Sequence, residues 1–416
     1  MPLMQRFGNS GPKIDSRIIS LFGGLCFFLS TLEYLIPKPL PFIRLGLANF
    51  PLLLALDILP FSSFLFLVGL KVLGQALISG TLFSYVFLFS LGGTAVSSLL
   101  MYAIRRIAGK EKMSLIGVST AGALAFNGVQ LVLAWCFVFG ESIRYAASPI
   151  LALGIVTGSL LGMLSEYFIK RSVWYERILD PQNEDLAKKP SHKDTEVQRT
   201  NINGNPGFPN SAQPFAAMFR SNELALAGLC MIPALLLNPD TSTRVIQFLF
   251  FFFLARLSGK KIKLLPVVLI MAGIVFFNLL VPYGELLFSI GFLKITRGAL
   301  FAGLRRAVTL EGLVMLSRFC IRRDLNLPGF FGEITGESFR LFSRLTEERL
   351  LFNRLNWVAR LDGILLAGVE ALPEKTVPIE KKGGAVFWPR LILAVIVVLA
   401  WLPFLFSIVF GQSGIG

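Results

Sequence analysis

Repeated apolar runs of membrane-crossing length constrain this chain more than any other feature. Several reach the roughly 18–25 residues that an α-helix needs to cross a bilayer. Hydrophobic residues fill 54% of the 416 positions and charged residues only 16%, far from the average of a soluble domain. The expected fold class is therefore an all-α polytopic membrane protein. A formal net charge of +15 fits cytoplasmic loops rich in Lys and Arg better than a nucleic-acid partner, and none is expected.

Residue types exclude several functions. Cys26, Cys136, Cys230 and Cys320 stand singly, without CxxC spacing, which disfavours iron–sulfur clusters, thiol redox pairs and zinc. The one histidine, His192, lies in a polar stretch, so neither bis-histidine haem nor a Ser-His-Asp triad fits. No phosphate-binding loop of the G-x-x-x-x-G-K-[ST] type occurs. No adjacent Asp pair occurs either, so the Asp-rich magnesium–diphosphate site of prenyltransferases is missing. The expectation is no enzyme, no metal and no cofactor.

Six spans fit the first part, at about 18–36, 45–59, 61–79, 82–104, 115–139 and 149–169. Arg6, Lys13 and Arg17 precede the first, and its length without a small-x-small cleavage pattern reads as a retained helix rather than a signal peptide. With Arg105, Arg106, Lys110 and Lys112 after span four and Lys170 and Arg171 after span six, all basic clusters fall on one side. The expected location is the cytoplasmic (inner) cell membrane, multi-pass, with a cytoplasmic N-terminus.

Residues 1–171 thus form a first unit. Residues 172–220 change to solvated, turn-rich composition and read as a cytoplasmic linker. A second membrane unit covers 221–416, with apolar runs at 222–237 and 245–257, a span at 264–281 and an external turn at Pro282, Tyr283 and Gly284. A crossing rich in arginine follows at 296–321, and a last span runs over 388–410. Between them 328–370 is amphipathic, with Phe339, Phe342, Leu345, Leu351, Leu355 and Val358 at helical spacing. It reads as a solvated face, an anionic-lipid surface helix or a docking site for a cytoplasmic partner.

Candidate site residues gather in the first unit. Pro37, Pro39 and Pro41 deny the external loop a helix, Arg44 and Asn49 lie where chain enters lipid, after Glu33, and Lys38 and Arg44 run against the positive-inside tendency. This segment is the expected ligand gate. Lys71 falls near the middle of span three, where a charge costs roughly 2.5–3.5 kcal/mol on insertion scales, with Gln75 one turn away. Either Lys71 meets an anionic or carbonyl-bearing ligand, or it forms a buried pair with Glu33 or Asp57. Ser90, Gly92, Gly93, Asn127 and Gln130 offer further polar lining. Ser16, Ser20 and Gly24 recur every four residues on span one, which suits either a docking face or close packing within one bundle.

The stretch from Glu33 to Asn49, with Ser90, Gly92, Gly93 and Met101, resembles the Gx transporter family, labelled heptaprenyl diphosphate synthase component I, over about 1–170. That family is similar to the S-components of energy-coupling factor transporters. The resemblance implies a six-helix vitamin binder whose first external loop closes over the ligand, and whose small residues on helix one meet the transducer. More loosely, Pro282 to Gly284, Ile295 to Leu300 and Pro328-Gly329 resemble the T-component of such transporters. This implies coupling helices that grip cytoplasmic ABC-type ATPase subunits through arginines, here Arg340, Arg344 and Arg360. Ala359, Arg360 and Gly363 are the nearest match to the T-component's Ala-Arg-Gly motif.

The leading expectation is an S-like and T-like transporter subunit, fused in one chain, that takes up a small vitamin- or cofactor-like solute. The alternatives are a membrane scaffold for flavin- or quinone-linked electron transfer and a subunit of a polyprenyl diphosphate synthase.

Overall fold

In a computed structural model, the described residues are 12–35, 46–179, 215, 218–260, 262–291, 293–322, 325, 329–347, 358–359, 361–363, 365–366 and 387–411. Helices α1 (Pro12–Leu35), α3 (Phe61–Ser79), α4 (Tyr85–Lys112), α5 (Leu115–Ala134) and α6 (Arg144–Arg171) build the first unit, with a six-residue α2 (Phe50–Ala55). A short α7 (Val173–Leu179) follows. The second unit contains α8 (Ser221–Leu236), α9 (Thr241–Leu257), α10 (Leu264–Leu279), α11 (Arg297–Cys320), α12 (Gly329–Glu347) and α13 (Phe387–Gly411).

Local chemistry sets the boundaries. Pro60, extended at φ −65 and ψ 162, opens α3, and Gly80 closes it at φ 65, a left-handed conformation that glycine adopts without a Cβ clash. Ser114 caps α5 by accepting from the Gly117 N–H at 3.2 Å, and Asp240 caps α9 through the Thr243 N–H at 2.8 Å, each satisfying a donor that the first turn orphans. At Trp135–Phe139 α5 passes into a π-helical turn, and Gly140 reverses the chain at φ 57.

Among the described residues, five stretches are helical, long and apolar enough to cross a membrane: Ser16–Glu33, Phe61–Ser79, Tyr85–Gly109, Leu115–Arg171 and Trp388–Val409. Their outward residues suit lipid, for example Leu160 on α6 and Val398 on α13, each 60% exposed. The chain is a helical membrane-embedded protein.

Two differences from the sequence reading stand out. The expected span at 45–59 is not a membrane-length helix. It is a 3-10 turn over Leu47–Asn49 followed by α2 and a turn. Six helical residues rise only about 9 Å. The segment is nevertheless enclosed, with Leu52, Leu53, Leu54 and Ala55 all at 0% exposure. Non-helical backbone at membrane depth is tolerated when protein surrounds it, which is the situation here.

The second difference is an antiparallel hairpin, β1 (Leu286–Ile290) with β2 (Leu293–Thr296), in a chain expected to be all helix. Gly291 turns it at φ 57.

Among the described residues two apolar cores form, and neither follows the boundary between the units. The first gathers α1, α2 and α3 with Trp174 and Tyr175 of α7, and also takes in Ile334, Leu341, Phe342 and Leu345 of α12. The second centres on α8, α9 and α11 and includes Phe89 of α4 and Val138 and Phe139 of the π-helical turn. Both cores thus draw on residues from the first 171 positions and from the second unit.

Candidate functional site

The site is built where the chain breaks its helix. After α1, residues 46–57 descend inside the bundle: the Cys26 thiol meets the Ala48 carbonyl at 3.7 Å, the Tyr175 hydroxyl donates to the Leu54 carbonyl at 3.3 Å, and Asp57 reaches Arg105 near the end of α4. At the top of this descent Gly46 stands at φ 83. Its N–H donates to the Glu33 carboxylate at 3.3 Å, and its carbonyl accepts from the Asn49 N–H at 2.8 Å. The tight turn aims the Asn49 side chain at α3.

There it meets Lys71, whose Nζ donates to Asn49 Oδ1 and, at 3.4 Å, to Thr94 Oγ1 of α4. Lys71 is 3% exposed and Thr94 1%. A buried ammonium is tolerated when hydrogen-bonded oxygens replace its water. One turn along α3, Gln75 Oε1 accepts from Ser90 Oγ of α4 at 3.4 Å. On the same α4, Ser97 Oγ and Ser98 Oγ are buried without a hydrogen-bond partner among the described residues, as is Gln130 Nε2 of α5.

The structure thus brings Glu33, Asn49 and Lys71 around one break and sets Gln75 beside them. Asn127 has another place: its Nδ2 donates to the Ile150 carbonyl at 2.8 Å, tying α5 to α6. Lys38 and Arg44, the expected gate, lie outside the described residues. Thr94 escaped the sequence reading. Its signal was there, since it stands four residues after Ser90 and thus on the same helical face.

Asp57 is engaged elsewhere, with both its oxygens taken by Arg105 at 3.0 and 2.8 Å. Arg105 also donates to the Met113 carbonyl at 2.9 Å. This pair walls a cavity of about 190 Å³ shared with Leu115, Glu166, Lys170 and Tyr175. Burial first, and then the Asp57 carboxylate, push the Tyr175 phenol above its ordinary range.

The face of α1 that carries Ser20 and Gly24 is covered by α12. Ser20 Oγ donates to Glu337 at 2.7 Å, and Ser338 Oγ donates to the Ser20 carbonyl at 3.1 Å. A Cβ on Gly24 would lie 2.8 Å from Leu341, and one on Gly23 2.5 Å from Ser338 Oγ. The rings of Phe27 and Phe339 stand 4.9 Å apart. Ser16 is half-buried at the start of this face. Of the three readings of the amphipathic stretch, a helix lying on lipid by its apolar stripe is therefore corrected: the stripe of α12 packs on this chain's own first unit. Farther on, Asp362 accepts from Ser172 Oγ at 2.5 Å and from the Val173 N–H at 2.7 Å, which holds Asp362 against the start of α7. Burial raises the Asp362 carboxyl above its usual range, against the lowering effect of these hydrogen bonds. Arg340 is half-buried on α12, Arg344 has only its helix position described, and Arg360 lies outside the described residues.

Among the described residues no group of three or more His, Cys, Asp or Glu side chains could hold a metal ion. Residues 22–168 match a family model described as heptaprenyl diphosphate synthase component I. Residues 222–323 match a domain of unknown function (DUF8519). No curated protein and no solved structure matches the chain.

Proposed function

We propose that this chain, whose first unit matches heptaprenyl diphosphate synthase component I over residues 22–168, is a membrane transporter subunit that binds a small vitamin- or cofactor-like solute. The observation that carries the reading is the buried Lys71 ammonium held by Asn49 and Thr94. Transporter sites are commonly placed at interrupted helices near mid-membrane, where freed backbone and polar side chains replace water around the solute. Lys71 would meet an anionic or carbonyl oxygen of the solute, with Glu33, Asn49 and Gln75 completing the site and Lys38 and Arg44 closing it from outside.

In this reading residues 1–171 act as the S-component-like binder, 172–220 as a cytoplasmic linker, and 221–416 as the T-component-like transducer. The contact of α12 with the small residues of α1 supports it, because two functions that meet across subunits elsewhere would here be joined in one chain. Arg340, Arg344 and Arg360 would engage separate ABC-type ATPase subunits, so the chain itself is assigned no catalysis. The membrane would be the cytoplasmic one, with the N-terminus inside.

The test is purification of the full chain from native membranes, followed by mass spectrometry of bound small molecules and co-purifying proteins. A polar solute together with ATPase subunits supports the reading. A flavin or quinone partner without any ATPase contradicts it. A reporter fused after residue 190 should read as cytoplasmic, and an external readout would invert the site.

A further inference from the structure

The second unit contains an acidic group that solute binding does not use. Glu311 lies in α11 and is 2% exposed. Its helix neighbours Leu310, Leu313 and Met315 are 3%, 2% and 0% exposed and belong to the second apolar core. Among the described residues no hydrogen bond or ion pair reaches its carboxylate.

The charged and titratable groups around it are accounted for. On α11 itself, Arg318 acts on Glu311 electrostatically but stands seven residues on, about 10 Å along the axis. Arg306 donates to Asn278 Oδ1 at 2.7 Å; Arg305 lies six residues before Glu311, and Arg297 pairs with Glu285 at 3.5 Å. Cys320 is buried nine residues on. From α9, Arg244 is spent on Thr309 Oγ1 at 2.6 Å and on the Asn238 and Leu236 carbonyls, and Arg256 sits in the last turn. From α8, Glu223 pairs with Arg390 at 2.8 Å and Cys230 is exposed. Tyr85 opens α4, whose other ionisable side chains begin at Tyr102, while α10 carries none. Cys136 of the π-helical turn is exposed, and Lys294 of β2 lies on the hairpin.

An ionised carboxylate without hydrogen bonds in such a place costs several kcal/mol, and the usual escape is to neutralise. A desolvated, buried titratable group of this kind is a functional-site candidate on physical grounds. We propose that Glu311 is a proton-binding site: it holds a proton at neutral pH, and releasing that proton requires α11 to repack so that water or a guanidinium reaches the carboxylate. The second unit thereby has a state that responds to protons, independently of what the first unit binds.

Infrared difference spectra of the reconstituted full chain, wild type against Glu311→Gln at neutral pH, read the protonation state directly. The expected loss is the C=O band of a protonated carboxyl, and the wild-type band should fade as the pH is raised. Loss of an ionised-carboxylate band instead would overturn the proposal. Should Glu311→Gln fail to fold, wild type labelled with carboxyl-13C glutamate serves in its place. A shifted protonated-carboxyl band supports the site, and its absence refutes it. Where the variant folds, its unfolding midpoint should match wild type in the acidic range, below the unfolded carboxylate pKa, and exceed it increasingly as the pH rises to neutrality and beyond. A large loss at neutral pH would mark an ionised, compensated group.

Discussion

The Lys71 ammonium donates to the side-chain oxygen of Asn49, twenty-two residues earlier in the chain, and so pins an interrupted segment to the middle of α3. Gly46 supplies the left-handed turn that the break needs, and Thr94 supplies the second oxygen from α4. Three elements therefore meet at one buried charge. The same contact that satisfies Lys71 also holds residues 46–57 inside the bundle, so the polar site and the local fold stand or fall together.

The Asp57–Arg105 pair closes the lower end of that segment. Both side chains are nearly buried, at 7% and 9% exposure, and breaking a buried ion pair costs about 3–5 kcal/mol because one charge is left uncompensated. Asp57→Asn should lower the thermal unfolding midpoint and membrane yield markedly. Asp57→Asn combined with Arg105→Met should recover part of the loss. Equal midpoints for wild type and the single variant in a detergent melting assay would contradict the pairing.

Docking of α12 on α1 depends on the absence of side chains at Gly23 and Gly24. Gly24→Val places its Cβ about where Leu341 already sits, and overpacking of this kind costs about 1–3 kcal/mol. Cysteines at Ser20 and Glu337, in a background without the native cysteines, should crosslink readily on oxidation. Adding Gly24→Val should slow that crosslink. Crosslinking at the same rate would mean that α12 is seated elsewhere.

Asp362 gives the docked segment a pH dependence of definite sign. Its folded-state pKa is raised, chiefly by burial, so its contribution is fully present below the unfolded carboxylate pKa and is lost as the pH rises through the folded value. Wild type should therefore lose stability relative to Asp362→Asn on going from the acidic range to neutrality. Parallel midpoints for the two proteins across that range would show that the carboxyl is not perturbed by docking.

Much of the helical framework was legible in the sequence. Pro60 and Gly80 bracket α3 because one cannot continue a helix backward and the other adopts positive φ without strain. Lys71 was visible as a charge inside an apolar run. The break at 46–49 was not, because residues 45–59 are apolar apart from Asn49 and Asp57, and hydropathy responds equally to a span facing lipid and to a short helix walled in by other helices. Asn49 looked like an interfacial residue for the same reason. The stripe of α12 was legible as amphipathic, but its partner Ser20 lies 317 positions away, and periodicity says nothing of which surface receives a stripe. The hairpin at Leu286–Thr296 was missed because its apolar residues continue a membrane-like composition.

Binding at the interrupted segment is tested most directly by native mass spectrometry of the full chain against Lys71→Met, which keeps the length of the side chain and removes its charge. The substitution leaves Asn49 Oδ1 and Thr94 Oγ1 without their donor, a loss of about 1–3 kcal/mol, so each protein is first shown to be folded by its melting transition. Wild type should carry a small polar molecule bearing an anionic or carbonyl oxygen, and folded Lys71→Met should have lost it. A wild type that carries none, or a folded variant that retains the same molecule at the same occupancy, would contradict a solute site at Lys71.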